Sequence, residues 1–310
     1  MSKLFIFIVI ISFSVGIKAQ TLKSFEDYNT RGSRRYTQGD YDGAIADFKR
    51  AIELSSRLET KSEVKRSNLI EETIESSATT DGIRVIDPRT AIAYANLGIA
   101  RLAKGDTDDA ILDFNRALSI SPTLILAYYN RGAAWLTKRD FERAIDDYSK
   151  TLRLDSKFAE GYAGRGTARL DKGDIEMAFA DFNQAIKLKP KYAKLYYLRG
   201  DAYRRSGDFD KALEDFEYSI KLNPQYAQPY YGRGMVRFEK VELDSAVADF
   251  TKAISLDGRL SRAYANRAYV FLIQGKDAEA ERDLNKALSL APNLHSEIET
   301  SVRVIKEGKK

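Results

Sequence analysis

The chain has no cysteine, which excludes disulfides, thiolate metal sites and cysteine nucleophiles. It has one histidine, His295, so a multi-histidine metal site is excluded, and a serine–histidine triad would hang on a residue near the end of the chain. Glycine (19) and proline (6) are too few for collagen-like or loop-dominated architecture. Long apolar runs are also missing beyond the first residues, which excludes a polytopic membrane protein. What is present is 310 residues, 44% hydrophobic and 31% charged, a foldable mixture too long for the usual single core. Two domains or an elongated array are expected.

Residues 1–19 read as a secretory signal peptide. Lys3 supplies the positive start, Leu4 to Ile17 is uncharged and mostly apolar, and Ala19 places a small residue before a cut ahead of Gln20. The expected address is therefore periplasmic or secreted; retention as an uncleaved membrane anchor is the alternative, disfavoured by the shortness of the run. Cleavage leaves 48 basic against 45 acidic residues, so the formal charge falls from +5 to +3. Lack of cysteine excludes a lipidated-cysteine anchor and suits an oxidising compartment.

The dominant feature is internal repetition. Tyr94-x2-Leu97-Gly98, Tyr128-x2-Arg131-Gly132, Tyr162-x2-Arg165-Gly166, Tyr196-x2-Arg199-Gly200 and Tyr230-x2-Arg233-Gly234 recur every 34 residues. Tyr264-x2-Arg267-Ala268 continues the series, and Tyr28-x2-Arg31-Gly32 precedes it. Downstream in each copy come an alanine (Ala44, Ala110, Ala144, Ala178, Ala212, Ala246, Ala280) and then a large apolar residue (Phe48, Phe114, Tyr148, Phe182, Phe216, Phe250, Leu284). Apolar residues at helical spacing, a Gly-Asp break such as Gly207-Asp208, and proline at Pro122, Pro190, Pro224 and Pro292 predict two helices per copy. One such hairpin cannot bury its faces alone, so neighbours must stack.

The pattern resembles the tetratricopeptide repeat (TPR) family, which has this period and this Gly/Tyr, Ala, Phe and Pro signature. Seven copies fall at 25–58, 91–124, 125–158, 159–192, 193–226, 227–260 and 261–294. The resemblance implies an all-α fold, a right-handed superhelical solenoid of helix-turn-helix repeats. Residues 59–90 read as an insert, a helix extension followed by a loose loop that sets repeat 1 apart. Residues 295–310 read as a polar capping helix and tail, with Ile298, Val302 and Ile305 on one side.

One departure from the family pattern is systematic. Arginine replaces the usual leucine at Arg31, Arg131, Arg165, Arg199, Arg233 and Arg267, while repeat 2 keeps Leu97. Each copy then carries an aspartate on its second helix: Asp47, Asp113, Asp147, Asp181, Asp215, Asp249 and Asp283. Paired salt bridges are the favoured reading, because a near-buried arginine needs a carboxylate. A ladder for phosphate or an acidic polymer is the alternative, kept open by further arginines at Arg101, Arg169 and Arg237.

In TPR proteins the first helix of each repeat lines a concave groove. Carried over, the groove positions are Tyr129, Asn130, Ala133 and Thr137 in repeat 3, and Glu160, Ala163, Thr167 and Asp171 in repeat 4. Repeat 5 gives Lys194, Tyr197, Asp201, Arg204 and Arg205, of which Lys194, Tyr197, Asp201 and Arg204 share one helical face. Repeat 6 gives Tyr231, Met235, Phe238 and Glu239; repeat 7 gives Arg262, Asn266, Tyr269 and Ile273. The tyrosines are read either as contact surface for a partner or as packing between repeats. The lysine and asparagine set of the family's two-carboxylate clamp is absent.

The functional expectation is a non-enzymatic scaffold that binds an extended protein segment in its groove, with no cofactor. Binding of an anionic polymer or envelope glycan is the alternative, and a carboxylate-pair enzyme acting on cell wall or peptide is a weaker one. A mature charge of +3 argues against nucleic acid, since little counterion release is available.

Overall fold

A computed structural model of the chain describes residues 24–55 and 88–308. The expected signal peptide, and the insert up to residue 87, lie outside the described residues. All regular structure among the described residues is helical. The helices are α1 (Phe25–Thr37), α2 (41–55 as described), α3 (Pro88–Lys104), α4 (Thr107–Ile120), α5 (Ile125–Thr137), α6 (Phe141–Leu154) and α7 (Ala159–Lys172). They continue as α8 (Ile175–Leu188), α9 (Ala193–Arg205), α10 (Phe209–Leu222), α11 (Ala227–Glu239), α12 (Leu243–Leu256), α13 (Ser261–Ile273), α14 (Asp277–Leu290) and α15 (His295–Glu307). None is long and apolar enough to cross a membrane.

The chain divides into two compact units, Met1–Lys172 and Gly173–Lys310, with the boundary between α7 and α8. Within each unit, helices pack as hairpins: α3 on α4 and α5 on α6 in the first, α9 on α10, α11 on α12 and α13 on α14 in the second. The second helix of each hairpin also packs on the first helix of the next, as α4 on α5 and α10 on α11. First helices touch one another in series, α1–α3–α5–α7 in unit 1 and α9–α11–α13–α15 in unit 2. This is the stacking of hairpins that the repeat demands. Helix α3 starts inside the span read as insert: Thr90 is buried and its hydroxyl donates to Ser55 Oγ (3.0 Å).

The hairpins of repeats 1, 2, 3, 5 and 6 are centred on an aromatic ring of the second helix; Phe48, Phe114, Tyr148, Phe216 and Phe250 are fully buried. The glycine opposite makes room for it. A Cβ at Gly98 would lie 2.8 Å from Phe114, at Gly200 2.9 Å from Phe216, and at Gly234 2.8 Å from Phe250. Repeat 7 solves the same contact the other way, with Ala268 facing the smaller Leu284.

The hairpin turn needs left-handed backbone, which glycine adopts freely. Gly39, Gly105, Gly173, Gly207 and Gly275 all have positive φ, but repeats 3 and 6 place Arg139 (φ 60°) and Val241 (φ 62°) there. A β-branched residue in this region is strained, and Val241 is also 73% exposed.

The arginine–aspartate register becomes a clamp across three helices. Arg131 donates from Nε and Nη2 to Asp147 (2.8 and 2.7 Å) and from Nη1 to Asn115 Oδ1 (2.6 Å) on the second helix of the preceding repeat. Arg199 does the same with Asp215 (2.8 and 2.8 Å) and Asn183 (2.7 Å), and Arg267 with Asp283 (2.7 and 2.9 Å) and Thr251 (2.9 Å). Arg31 pairs with Asp47 (2.8 and 2.5 Å), and Arg233 with Asp249 (3.0 and 2.8 Å) while Glu217 lies 3.7 Å away. Arg165, in unit 1, donates to Ser149 Oγ (3.2 Å); Asp181 belongs to unit 2. Each of these arginines also sits 5.4–5.8 Å over the tyrosine one helical turn before it, from Tyr28 to Tyr264.

Repeat 2, with Leu97, recruits its guanidinium from elsewhere. Arg101 Nη1 lies 2.6 Å from Asp113, Arg116 Nη1 lies 3.4 Å from it, and Arg116 stacks over Tyr94 at 5.7 Å. Arg237 likewise donates to Asp249 (2.8 Å). Arg101 and Arg237 therefore belong to the clamp, which withdraws them from a ladder for acidic polymers.

Candidate functional site

The first helices of unit 2 present one connected face. Short rungs join each helix to the next, and three of them have the same sequence step. Arg204 Nη1 donates to Glu239 Oε1 (3.0 Å), Asn266 Nδ2 donates to the Tyr231 hydroxyl (2.9 Å), and Arg262 makes a two-pronged pair with Glu297 (2.6 and 2.9 Å). In each, the partners are 35 residues apart. Arg204 is also held by Asp201 (3.2 and 3.0 Å), and Asn266 Nδ2 lies 3.0 Å from Met235 Sδ.

The tyrosines of this face turn inward. Tyr197 packs on Phe216 (6.1 Å between centroids) and edge-on to Tyr226 (5.6 Å), Tyr231 on Phe250 (5.9 Å), and Tyr269 is buried in the cluster that seats α15. Burial raises the phenol pKa of Tyr197, Tyr231 and Tyr269, the last despite a hydrogen bond to Ser301. Burial also pulls the Lys194 ammonium down to about 8. Asp171, Lys194 and Arg205 are each engaged in contacts of their own.

In unit 1, five expected groove residues are buried: Ala133, Glu160 and Ala163, with Tyr129 and Asn130 the clearest cases. Tyr129 is 2% exposed, tilted against Tyr148 (5.6 Å) and edge-on to Phe158 (5.2 Å). Asn130 is fully buried, with Nδ2 donating to Leu126 O (2.8 Å) and Oδ1 left without a partner. Neither offers contact surface, because both side chains fill the space between stacked helices. Of the two readings of the tyrosines, packing describes Tyr129, Tyr197 and Tyr231, each on aromatic rings of its own repeat, and Tyr269, against α15. What the unit 2 face leaves open is Ile273 (39% exposed), the half-buried Met235 and Phe238, and the paired charges of Asp201, Arg204, Glu239, Arg262 and Glu297.

Glu297 and Ser301 were not among the expected residues, since they fall past the seventh copy. The signal was in the register: one further step of the repeat from Ser261 arrives at His295, so α15 stands where an eighth first helix would. It packs through Ile298, Val302 and Ile305. Val302 occupies the position of the glycines and packs against the cluster of Ala268, Leu272 and Ala280.

Models of known families match this register. Two described as tetratricopeptide repeat match residues 125–158 with 193–226, and 19–57 with 261–294; one described as TPR repeat matches 100–138 and 166–206. Together these matches span more than half of the chain. The chain belongs to the tetratricopeptide repeat family. Among solved structures, a tetratricopeptide repeat protein from Parabacteroides merdae is 20% identical with a TM-score of 0.67, covering 91% of this chain and 98% of its own. A thermophilic TPR protein from Thermus thermophilus is 22% identical with a TM-score of 0.54, covering 59% of this chain and 99% of its own. At these identities the likeness concerns the fold. A search of the curated proteins returns no match. TPR proteins in general mediate protein–protein interactions, and the fold is typically a non-enzymatic scaffold.

Proposed function

We propose that this TPR protein is an extracytoplasmic scaffold that binds an extended protein segment across the first-helix face of unit 2. The observation that carries the reading is the run α9–α11–α13–α15, four first helices joined by rungs between Arg204 and Glu239, Tyr231 and Asn266, and Arg262 and Glu297. A face fixed in this way is preorganised, so a flexible segment laid across it meets a surface that does not have to reorder. The extracytoplasmic address rests on the signal-like segment 1–19.

Affinity capture of the mature protein from envelope and medium fractions, with Ile273→Asp and Arg262→Glu as paired controls, tests the face. A partner retained by both folded variants would remove the assignment. N-terminal sequencing tests the address: a mature protein beginning at Gln20 is expected, and an intact Met1 in the mature pool would refute it.

A further inference from the structure

The chemistry of the same face says what kind of segment it takes. Resting on the proposed site, we infer that the segment is uncharged where it crosses α11, α13 and α15, and that it is held by apolar contact rather than by ion pairing. Two observations point there.

First, the charges of the face are already matched to each other. Arg204 has Asp201 and Glu239 within 3.0 Å, and Arg262 has both oxygens of Glu297. The Arg204–Glu239 and Arg262–Glu297 pairs join successive helices of the face, so an incoming carboxylate would have to compete with a glutamate held by the fold itself. An incoming ammonium would have to displace an arginine. Either exchange gains little, because one ion pair replaces another, and it leaves a displaced charge of the same sign beside the ligand.

Second, the same helices carry open carbon surface. Ile273 ends α13 at 39% exposure, and Met235 and Phe238 are half-buried on α11. Phe238 also touches both the cluster around Val270 and the one that seats α15, so it is held in place. Held aromatic and aliphatic groups favour an apolar ligand without a cost for ordering them. Beside this patch Arg262 and Glu297 cancel, and the one carboxylate in excess at Arg204 is Asp201, on α9.

The test is selection from an unbiased random twelve-residue peptide library displayed on phage, panned on the full-length mature protein. Clones that also bind folded Ile273→Asp are discarded. Enrichment of uncharged sequences rich in Leu, Met, Phe or Tyr is expected. Their dissociation constants should change by no more than about twofold between low and high salt, because screening acts on unpaired charge. Replacing a central residue of a selected peptide by Asp or by Lys should weaken binding about tenfold or more in either case.

The double variant Glu239→Gln, Glu297→Gln, which frees Arg262 and leaves Arg204 paired with Asp201 alone, should turn selection toward acidic peptides and make binding salt-dependent. Enrichment of acidic or basic peptides on the native protein overturns this inference and leaves the site standing. Failure to obtain any Ile273-dependent clone from native protein and double variant alike overturns the proposed site itself. If the double variant selects the same uncharged peptides with no salt dependence, the role given to the ion pairs is wrong.

Discussion

Units 1 and 2 share one side of their hairpins and differ on the other. Where first and second helices meet, the same arginine clamp recurs in both: Arg131 with Asp147 and Asn115 in unit 1, Arg199 with Asp215 and Asn183 in unit 2. Along the first helices, unit 1 buries Ala95, Ala133 and Ala163 together with Tyr129, whereas unit 2 carries Tyr197, Tyr231 and Tyr269 beside rungs of paired charge. The lesson is a division of labour within the repeat. Residues that must satisfy two neighbouring repeats at once are held to one pattern, and the remaining face of the first helices is free to vary. Specificity on such a scaffold belongs to the variable side.

The clamp offers the largest effects. Asp215→Ala leaves Arg199 half-buried against Asn183 alone and should cost about 3–5 kcal/mol in urea unfolding. The double variant Arg199→Leu, Asp215→Ala should lose less, because no charge is left uncompensated. Equal losses would mean that the pair is not coupled, and the contrast between constant and variable sides would lose its basis.

A second test uses the one repeat that packs differently. Gly234→Ala drives a methyl to 2.8 Å from Phe250 and should cost about 2–3 kcal/mol. Adding Phe250→Leu should recover part of that loss by recreating the Ala268–Leu284 contact of repeat 7. A double variant no more stable than Gly234→Ala would show that the two solutions are not interchangeable.

Repeat 2 is where the clamp is irregular. Burial pushes the Asp113 carboxyl up to about 6 from 3.8, against the pull of Arg101. A folded-state pKa above the unfolded one means that the folded chain binds this proton more tightly. Its contribution is therefore fully present below pH 3.8 and is lost as pH rises through about 6. Relative to Asp113→Asn, the native chain should be more stable at pH 4 than at pH 7, by on the order of 2 kcal/mol. Trp135, the single tryptophan, lies in unit 1 and reports its unfolding. A difference that does not vary with pH would refute the assignment.

These cases also mark what could be read in the sequence. The 34-residue step gives the hairpins, their order, and the alignment of Arg199 with Asp215, because backbone geometry fixes which turn of which helix faces the next. It does not give side-chain direction. Leu97 looks like a missing clamp in the alignment, yet Arg101 and Arg116 reach Asp113 from other positions through their long, flexible stems. Tyr129 and Tyr197 occupy groove positions by register, but their rings rotate into the space beside Tyr148 and Phe216. Long side chains choose among rotamers by packing, and packing is visible only in three dimensions.

Strain separates the turns of the two units less strongly. Val241→Gly should stabilise unit 2 by about 1 kcal/mol, since glycine adopts positive φ without steric penalty. Gly207→Val in the neighbouring repeat should cost about as much. Thermal melts of the pair measure this directly, and equal melting temperatures would show that Val241 is not strained.

The smallest test returns to the first-helix faces. Rungs form where both ends carry a hydrogen-bonding group: Asn29 with Asn96 in unit 1 (3.1 Å), Tyr231 with Asn266 in unit 2. The same step back from Asn130 arrives at Ala95, whose methyl offers nothing, and Asn130 Oδ1 is left buried and unpaired. Ala95→Ser would place a hydroxyl donor on that side and should stabilise unit 1 by about 0.5–1 kcal/mol, while Ala95→Val, apolar and bulkier, should not. Stabilisation by serine alone would show that the two faces follow one rule with different residues. An equal gain from valine would mean that only volume was missing, and that the rungs of unit 2 are its own.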